Sequence, residues 1–411
     1  MPASPIFLLY FMSSRRGNIE GWAIALHPEA KETKMKRCNN TRIPRALHFL
    51  KGVAIASALF AMQQPASAAS ADAATAWKNA QKLIPGISKE TVDAACSEGS
   101  AMMYSLILRG EQEGIIGHFE KLFPCIKLKV FNASGGVLSQ RFTNEMRAGN
   151  SPTDIWMNSS PVYGSRLAKE GLLLNWTPPT ASLIDDLWKD EGYWYAIGLA
   201  HIGIIWNTED IKPEQKKWLE GVKTWADVPN GPFQNNTGLV DIRAGGTTQI
   251  FYYYNKQKYG VDYWKKLATL KPTIFSGVNP LIGRLVAGDF AYAAGITADT
   301  AGATQWLKGA PLQWKFPEPG LAVPYFIGIS AKAPHPNAAK LFMAWSLSTD
   351  GQNSWVNSSG LAPASSHATD NRPYAKKAWY KLPKTHYRAD WQKIATDLKA
   401  DTQTFTSIFG K

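Results

Sequence analysis

Residues 126–146 limit the fold more than any other part of the chain. Ile126-Lys127-Leu128-Lys129-Val130-Phe131 alternates apolar and basic residues, the period of a half-buried strand. Ser134-Gly135-Gly136 breaks the pattern, and two glycines let the backbone turn sharply and approach another group closely. Leu138, Phe142 and Met146 then recur every four residues, which is one buried helix face. Strand, turn and helix in this order leave unpaired N–H groups at the helix start beside a serine hydroxyl, where the helix dipole favours an anion or a carbonyl. The same residues also make an ordinary serine-capped turn that holds nothing, and the local pattern does not decide between the two.

The rhythm repeats along the chain. Strands are expected at 101–106, 126–131 and 154–157, and helices at 113–122, 137–147 and 163–170. Further strands are expected at 239–242 and 290–296, and further helices at 262–270 and 337–348. Tyr193-Trp194-Tyr195 through Trp206-Asn207 is too long and too rich in Ile, Gly and aromatics for one ordinary strand, and suggests two extended segments. Residues 321–330 read as extended, and 374–409 as helical. This is the alternation of a mostly parallel sheet covered by helices, an α/β fold.

The ends place the protein. Lys36, Arg37, Arg42, Arg45 and Lys51 precede an apolar run, Gly52 to Met62, and Ala66-Ser67-Ala68 follows as a small-x-small cleavage site. That is a secretory signal peptide over 35–68, with an apolar run too short to span a membrane. Residues 1–34 read as an over-extended start. Of the 45 Lys+Arg and 32 Asp+Glu, residues 1–68 hold 9 and 3, so the part after Ala68 carries 36 against 29, or +7. With no long basic run, nucleic acid is not an expected partner. Cys96 and Cys125 each sit just before an expected strand. Parallel neighbouring strands would bring them to one sheet edge, where an oxidising compartment favours a disulfide over two buried thiols. Residues 69–411 number 343, more than one core usually holds, so two lobes are expected.

The order of motifs carries a resemblance. FEKLFPCIKLKVFNASGG, DIWMNSS, GIIWNTEDI, KTWADV, APHPNAAKLFMAWSLSTDGQ and GLAP follow one another behind the signal peptide. Over nearly all of 98–363 this is similar to the periplasmic solute-binding proteins of ABC importers, in the type II group with ferric-iron, polyamine, thiamine and 2-aminoethylphosphonate binders. The resemblance implies two α/β lobes, each a mixed sheet flanked by helices, joined by two crossing segments within 193–207 and 321–330. Lobe one would hold 69–200 and 323–365, and lobe two 201–322 and the C-terminal helices of 366–411. A solute between the lobes, hinge closure, a membrane permease as partner, a monomeric periplasmic protein, and neither enzyme activity nor a cofactor are implied with it.

Within that frame the residues expected to line the cleft are Tyr104 and Ser105 at a strand end, Ser134, Gly135 and Gly136, and Ser159 and Ser160. From the other lobe come Arg243, Gly246 and Thr247, then Thr297 and Asp299, with Tyr325 on the return crossing. For each, capping or core packing is the plain alternative. His201 reads as structural rather than as a ligand. Iron binders of the family carry an adjacent tyrosine pair and often a histidine where this chain has Ile296-Thr297-Ala298-Asp299 and Leu106-Ile107-Leu108-Arg109, so no metal ligand set is expected. Tyr252-Tyr253-Tyr254 falls on a helix and reads as packing surface. A small organic anion or zwitterion is the expected solute. The alternatives are a ferric-iron binder of the same fold and a secreted carbohydrate-active hydrolase, which the 16 Trp could serve but for which no nucleophile elbow or zinc motif is found.

Overall fold

The computed structural model describes residues 65–107 and 109–410. The start at 1–34 lies outside them, as does all of the signal-peptide segment except 65–68, which opens the first helix. The elements are α1 Pro65–Leu83, α2 Lys89–Glu98, β1 Ser100–Ser105, α3 Arg109–Leu122, β2 Lys127–Asn132, α4 Gly135–Arg147, β3 Ile155–Asn158, α5 Pro161–Lys169, β4 Lys189–Asp190, β5 Trp194–Asn207, α6 Pro213–Gly221 and β6 Thr237–Val240. They continue with α7 Gly246–Tyr259, α8 Val261–Ala268, β7 Thr273–Phe275, α9 Val278–Val286, β8 Tyr292–Thr297, α10 Ala303–Trp306, β9 Leu312–Lys315, β10 Leu321–Ile329, α11 Pro336–Leu347, α12 Thr349–Ser359 and α13 Trp391–Phe409.

One sheet runs through these residues in the order β2-β1-β3-β10-β5-β8-β6-β7, with β4 and β9 added beside β5. Its two ends are parallel: β1 pairs with β2 and β3, and β6 with β7 and β8. Its middle is antiparallel, where β10 and β5 run against their neighbours.

Residues 193–207 do not form two segments. β5 is a single strand of 14 residues, buried at every position except Trp206. Its glycines mark close approaches rather than breaks. A Cβ at Gly198 would lie 2.7 Å from Leu361 Cβ, and one at Gly203 would lie 2.5 Å from the Lys315 carbonyl oxygen. A central strand covered on both faces loses the alternation that marks an exposed one, which is why it reads as too apolar for a strand.

The buried side chains change partners part-way along this strand. Ala196, Ile197, Leu199 and Ala200 belong to one core with Met103, Phe119 and Phe342, whereas Ile202 and Ile204 belong to another with Trp225, Phe251 and Trp264. β10 makes the same change, from Leu321 and Val323 to Ile327 and Ile329. Opposite faces of the sheet carry two further cores, around Trp156 and Phe326 and around Trp314 and Leu285. We refer below to lobe one and lobe two on either side of this changeover.

The helix expected over 374–409 is confined to α13. Pro373 and Pro383 interrupt the chain before it, and Tyr374 and Tyr380 are buried in irregular backbone. Cys96, in the last turn of α2, and Cys125, just before β2, are joined by a disulfide with S–S 2.07 Å, beside the start of the β1–β2 pair. Among the described residues no helix is long and apolar enough to cross a membrane.

Candidate functional site

The two residues expected at the end of β1 are buried and bonded within the protein. Tyr104 is buried, and its hydroxyl donates to both oxygens of Glu145 at 2.9 and 2.8 Å. Arg141 donates to the same carboxylate at 2.7 Å and lies over the Phe131 ring, 4.1 Å from its centroid. Ser105 is also buried; its hydroxyl accepts from the Ile107 N–H at 3.2 Å and lies 3.4 Å from the Met157 sulfur.

The helix starts of lobe one are held by a residue that sequence patterning did not single out. Asn158, the last residue of β3, accepts the Ser159 and Ser160 N–H groups on Oδ1, both at 2.9 Å. Its Nδ2 donates to the Gly135 carbonyl and the Ser139 hydroxyl, both at 3.0 Å. One carboxamide therefore fixes the start of α4 against the start of α5. Its position directly before Ser-Ser-Pro, at the end of a strand, is the signal that could have found it. Ser134 has the extended backbone of an N-cap, but its hydroxyl makes no capping bond and it is exposed. The first N–H groups of α4, at Gly135 and Gly136, thus receive no side-chain cap from Ser134.

Lobe two repeats the device with different parts. Asp241 accepts the Arg243 N–H at 2.8 Å and the Arg243 Nε–H at 2.8 Å, and is ion-paired with that guanidinium. Arg243 accordingly holds the Asp241 carboxyl below the usual range. Arg243 is exposed, and its charge is already partnered. Gly245 has φ +144°, which a side chain would strain, and α7 starts at Gly246. A Cβ on Gly246 would lie 3.9 Å from the Trp391 ring. The same indole, with Pro161 and Ser165, lines a cavity of about 220 Å³. Trp391 thus stands beside Gly246 at the start of α7 and shares this cavity with Pro161 at the start of α5, which follows Ser159 and Ser160; Thr247 follows Gly246 in α7.

Beside the changeover strands lies a larger cavity of about 600 Å³. Leu106, Ile107, Glu111 and Tyr325 line it from lobe one, and Asn279, Thr300 and Thr304 from lobe two. The last turn of α12 with Gly360 and Leu361, and the stretch 371–374, also line it. Of the thirteen expected ligand residues it gathers Asp299 and Tyr325; Thr297 ends β8 nearby, half-buried. The Tyr325 hydroxyl's pKa is pushed up to about 12 by burial, with the Glu111 and Asp299 carboxylates adding to it.

Asp299 itself is committed to the protein. It is fully buried and accepts the His201 N–H at 2.8 Å, with His201 Nδ1 at 3.0 Å and Arg372 Nη1 at 3.1 Å. Burial works to raise its pKa, but His201 and Arg372 outweigh that and hold it below the usual carboxylate range. His201 Nε2 lies 3.0 Å from His386 Nε2, so this histidine ties the changeover strand to the C-terminal chain. Tyr252, Tyr253 and Tyr254 are buried in α7, Tyr252 stacked on Trp264 at 4.6 Å and Tyr254 against Tyr387 at 4.9 Å.

A family model described as bacterial extracellular solute-binding protein matches residues 105–353, more than half of the chain. A periplasmic protein of Salmonella typhimurium, named provisionally for binding 2-aminoethylphosphonate, is 23% identical over 293 residues, covering 69% of this chain and 83% of its own. Iron-bound HitA of Pseudomonas aeruginosa superposes with a TM-score of 0.60 at 18% identity, over 74% of this chain and 99% of that one. The periplasmic binding protein AfuA of Actinobacillus pleuropneumoniae, with fructose-6-phosphate bound, gives 0.58 at 19% identity, over 76% and 99%. At these identities the likeness speaks for the fold, the type II periplasmic-binding-protein fold.

Proposed function

The chain belongs to the bacterial extracellular solute-binding proteins, and we propose that it captures a small organic anion or zwitterion between its lobes and delivers it to the membrane permease of an ABC importer. The observation that carries this is the cavity of about 600 Å³ beside β5 and β10, walled by residues of both lobes. A site at a changeover of two strands can be shut by a hinge motion of those strands. The starts of α4 and α7 carry no side-chain cap from their N-cap residues, and such helix starts favour an anionic end. In this reading the protein acts in the periplasm as a monomer after cleavage near Ala68, catalyses nothing, and touches no nucleic acid. The name of the Salmonella relative supports 2-aminoethylphosphonate as the first solute to try.

The test is a thermal-shift screen of the exported protein against 2-aminoethylphosphonate, other small anions and zwitterions, and ferric salts. A solute at 100 times its Kd adds about 2.7 kcal/mol of stability, a clear rise in Tm. Stabilisation by ferric iron with a visible tyrosinate band, and by no organic solute, would overturn the proposal.

A further inference from the structure

We propose that residues 386–391, on the chain that completes lobe two, are a latch that closes onto lobe one and sets how far the lobes part. This rests on the hinge motion in that reading and on no property of the solute.

β5 and β10 cross between the lobes within the sheet, and the C-terminal chain makes a further link. The buried residues of lobe one's core end at Ala364, and Tyr374 and Tyr380 already belong to a core of lobe two. From there the chain is pinned to lobe two by short bonds. Glu318 accepts the Lys384 N–H at 2.7 Å and the Thr385 hydroxyl at 2.8 Å. Just before β10, the Gly320 N–H donates to the Thr385 carbonyl at 2.8 Å, and the Tyr387 N–H donates to the Gly320 carbonyl at 2.9 Å. The Tyr387 hydroxyl donates to Gln257 of α7 at 2.6 Å. α13 then buries Ile394 and Phe405 in the core that holds Trp264.

The same stretch meets lobe one by weaker means. Arg388 is exposed and reaches the Asp186 carbonyl only at 3.4 Å, long for a hydrogen bond. The His386 ring lies edge-on to Trp188, with centroids 5.3 Å apart. α13 also packs against α5, but the cavity of about 220 Å³ lies in that seam. Pro161, Ser165 and Trp194 line it from lobe one, and Tyr387, Arg388 and Trp391 from the C-terminal chain. Side chains that face a void forgo the contacts a packed core would give them. A segment bonded closely to one lobe and separated from the other by a cavity moves with the first. On opening, the seam parts and the bonds to Glu318, Gly320 and Gln257 hold. The indoles of Trp188, Trp194 and Trp391 all line the seam, so parting it wets apolar surface. That cost favours the closed form without any contact to solute, and it biases the equilibrium between open and closed. Trp391, the first residue of α13, is the half-buried member that the C-terminal chain contributes.

The experiment measures distances by pulsed electron resonance in the dialysed exported protein, with no solute added. Nitroxide labels go on Lys121→Cys in α3 of lobe one and Lys217→Cys in α6 of lobe two, both exposed positions. A second pair, Lys217→Cys with Lys399→Cys in α13, lies within lobe two. In the interlobe pair, Trp391→Ala should raise the long-distance population about 2- to 10-fold, the equivalent of one aromatic contact. Trp391→Phe should restore most of the short population, and Arg388→Ala should act in the same direction as Trp391→Ala but less. The pair within lobe two should not change in any of the three. An interlobe distribution unmoved by Trp391→Ala overturns the latch. A changed lobe-two pair overturns it as well, because Trp391 then serves to seat α13. Either result leaves solute capture standing, since no solute takes part, and a solute screen that fails leaves the latch standing.

Discussion

The two lobes share one sheet but are finished by different means. The core of lobe one is largely aliphatic, with Ala, Ile, Leu and Met around Phe119, Phe342 and Trp345, and its buried residues end at Ala364. It is closed by the Cys96–Cys125 disulfide, 29 residues apart, and by carboxylates that receive backbone N–H groups from distant parts of the chain. Glu98 accepts the Asn337 and Ala338 N–H groups at the start of α11, and Asp154 those of Met102 and His335. Lobe two is aromatic, with Tyr252, Tyr253, Tyr254, Tyr263, Trp264 and Tyr292 in one core. It is completed by the end of the chain, where Tyr374 and Tyr380 fill one face, and Ile394 and Phe405 of α13 fill the other. The difference teaches that lobe two takes fully buried core residues from the last part of the chain, whereas lobe one takes from it only peripheral contacts such as Leu382 and the His386 ring on Trp188.

The largest expected effect is at Arg372. Arg372→Met leaves Asp299 and Asp370 without the cation they share, one of them fully buried. Breaking a buried ionic cluster from one side costs about 3–5 kcal/mol. Urea denaturation followed by hydrogen exchange should show the loss in lobe two and in the chain after α12, with lobe one keeping its protection. Equal loss of protection across β1, β2 and α11 would mean that the lobes do not differ in this way.

Next in size is the opposite experiment. Cys96→Ser with Cys125→Ser removes the link across 29 residues and should cost about 2–4 kcal/mol. Here the loss belongs to lobe one, and α7, α8 and α13 should keep their exchange rates. The same measurement applied to both variants tests whether each lobe has its own lock.

Much of this organisation was legible in the sequence, and the exceptions have physical causes. Helices α3, α4 and α5 follow from amphipathic periods, because each has one buried and one wet face, and β2 from its alternation, whereas α11 is buried at nearly every residue. The unity of β5 was hidden because both its faces are covered. Short elements such as β7, β9 and α10 have too few residues to show a period. At the site, glycines and serines announced the helix starts, but Asn158 looked like any polar residue near an element end. Its importance comes from the two helix starts that the fold brings against it, which spacing cannot express. Asp299 and Tyr325, both expected from the sequence, line the cavity, yet the partners that commit Asp299 lie 98 and 73 residues away in the chain.

The smallest expected effect lies where the lobes meet and sharpens the comparison by pH. His386 sits between them. Its Nε2 is 3.0 Å from that of His201, its ring packs edge-on against Trp188, and its neighbours Tyr387 and Thr385 pair with Gly320 beside β10. Burial, with His201 adding to it, lowers the pKa of His386 to about 4, while Glu318 and Asp185 pull weakly the other way. In the unfolded chain this imidazole titrates near its ordinary value of about 6.5. Between these values the unfolded state binds a proton that the folded state refuses, so stability falls as pH drops from about 6.5 to about 4 and is flat above. One proton sets a ceiling of about 1.4 kcal/mol per pH unit, and partial exposure keeps the slope below it. His386→Asn should flatten stability against pH in that window. The depressed carboxyl of Asp299 gives a separate loss at lower pH, present in both proteins. If the slope survives the substitution unchanged, the contact between His386 and His201 does not couple the C-terminal chain to the strand that joins the lobes.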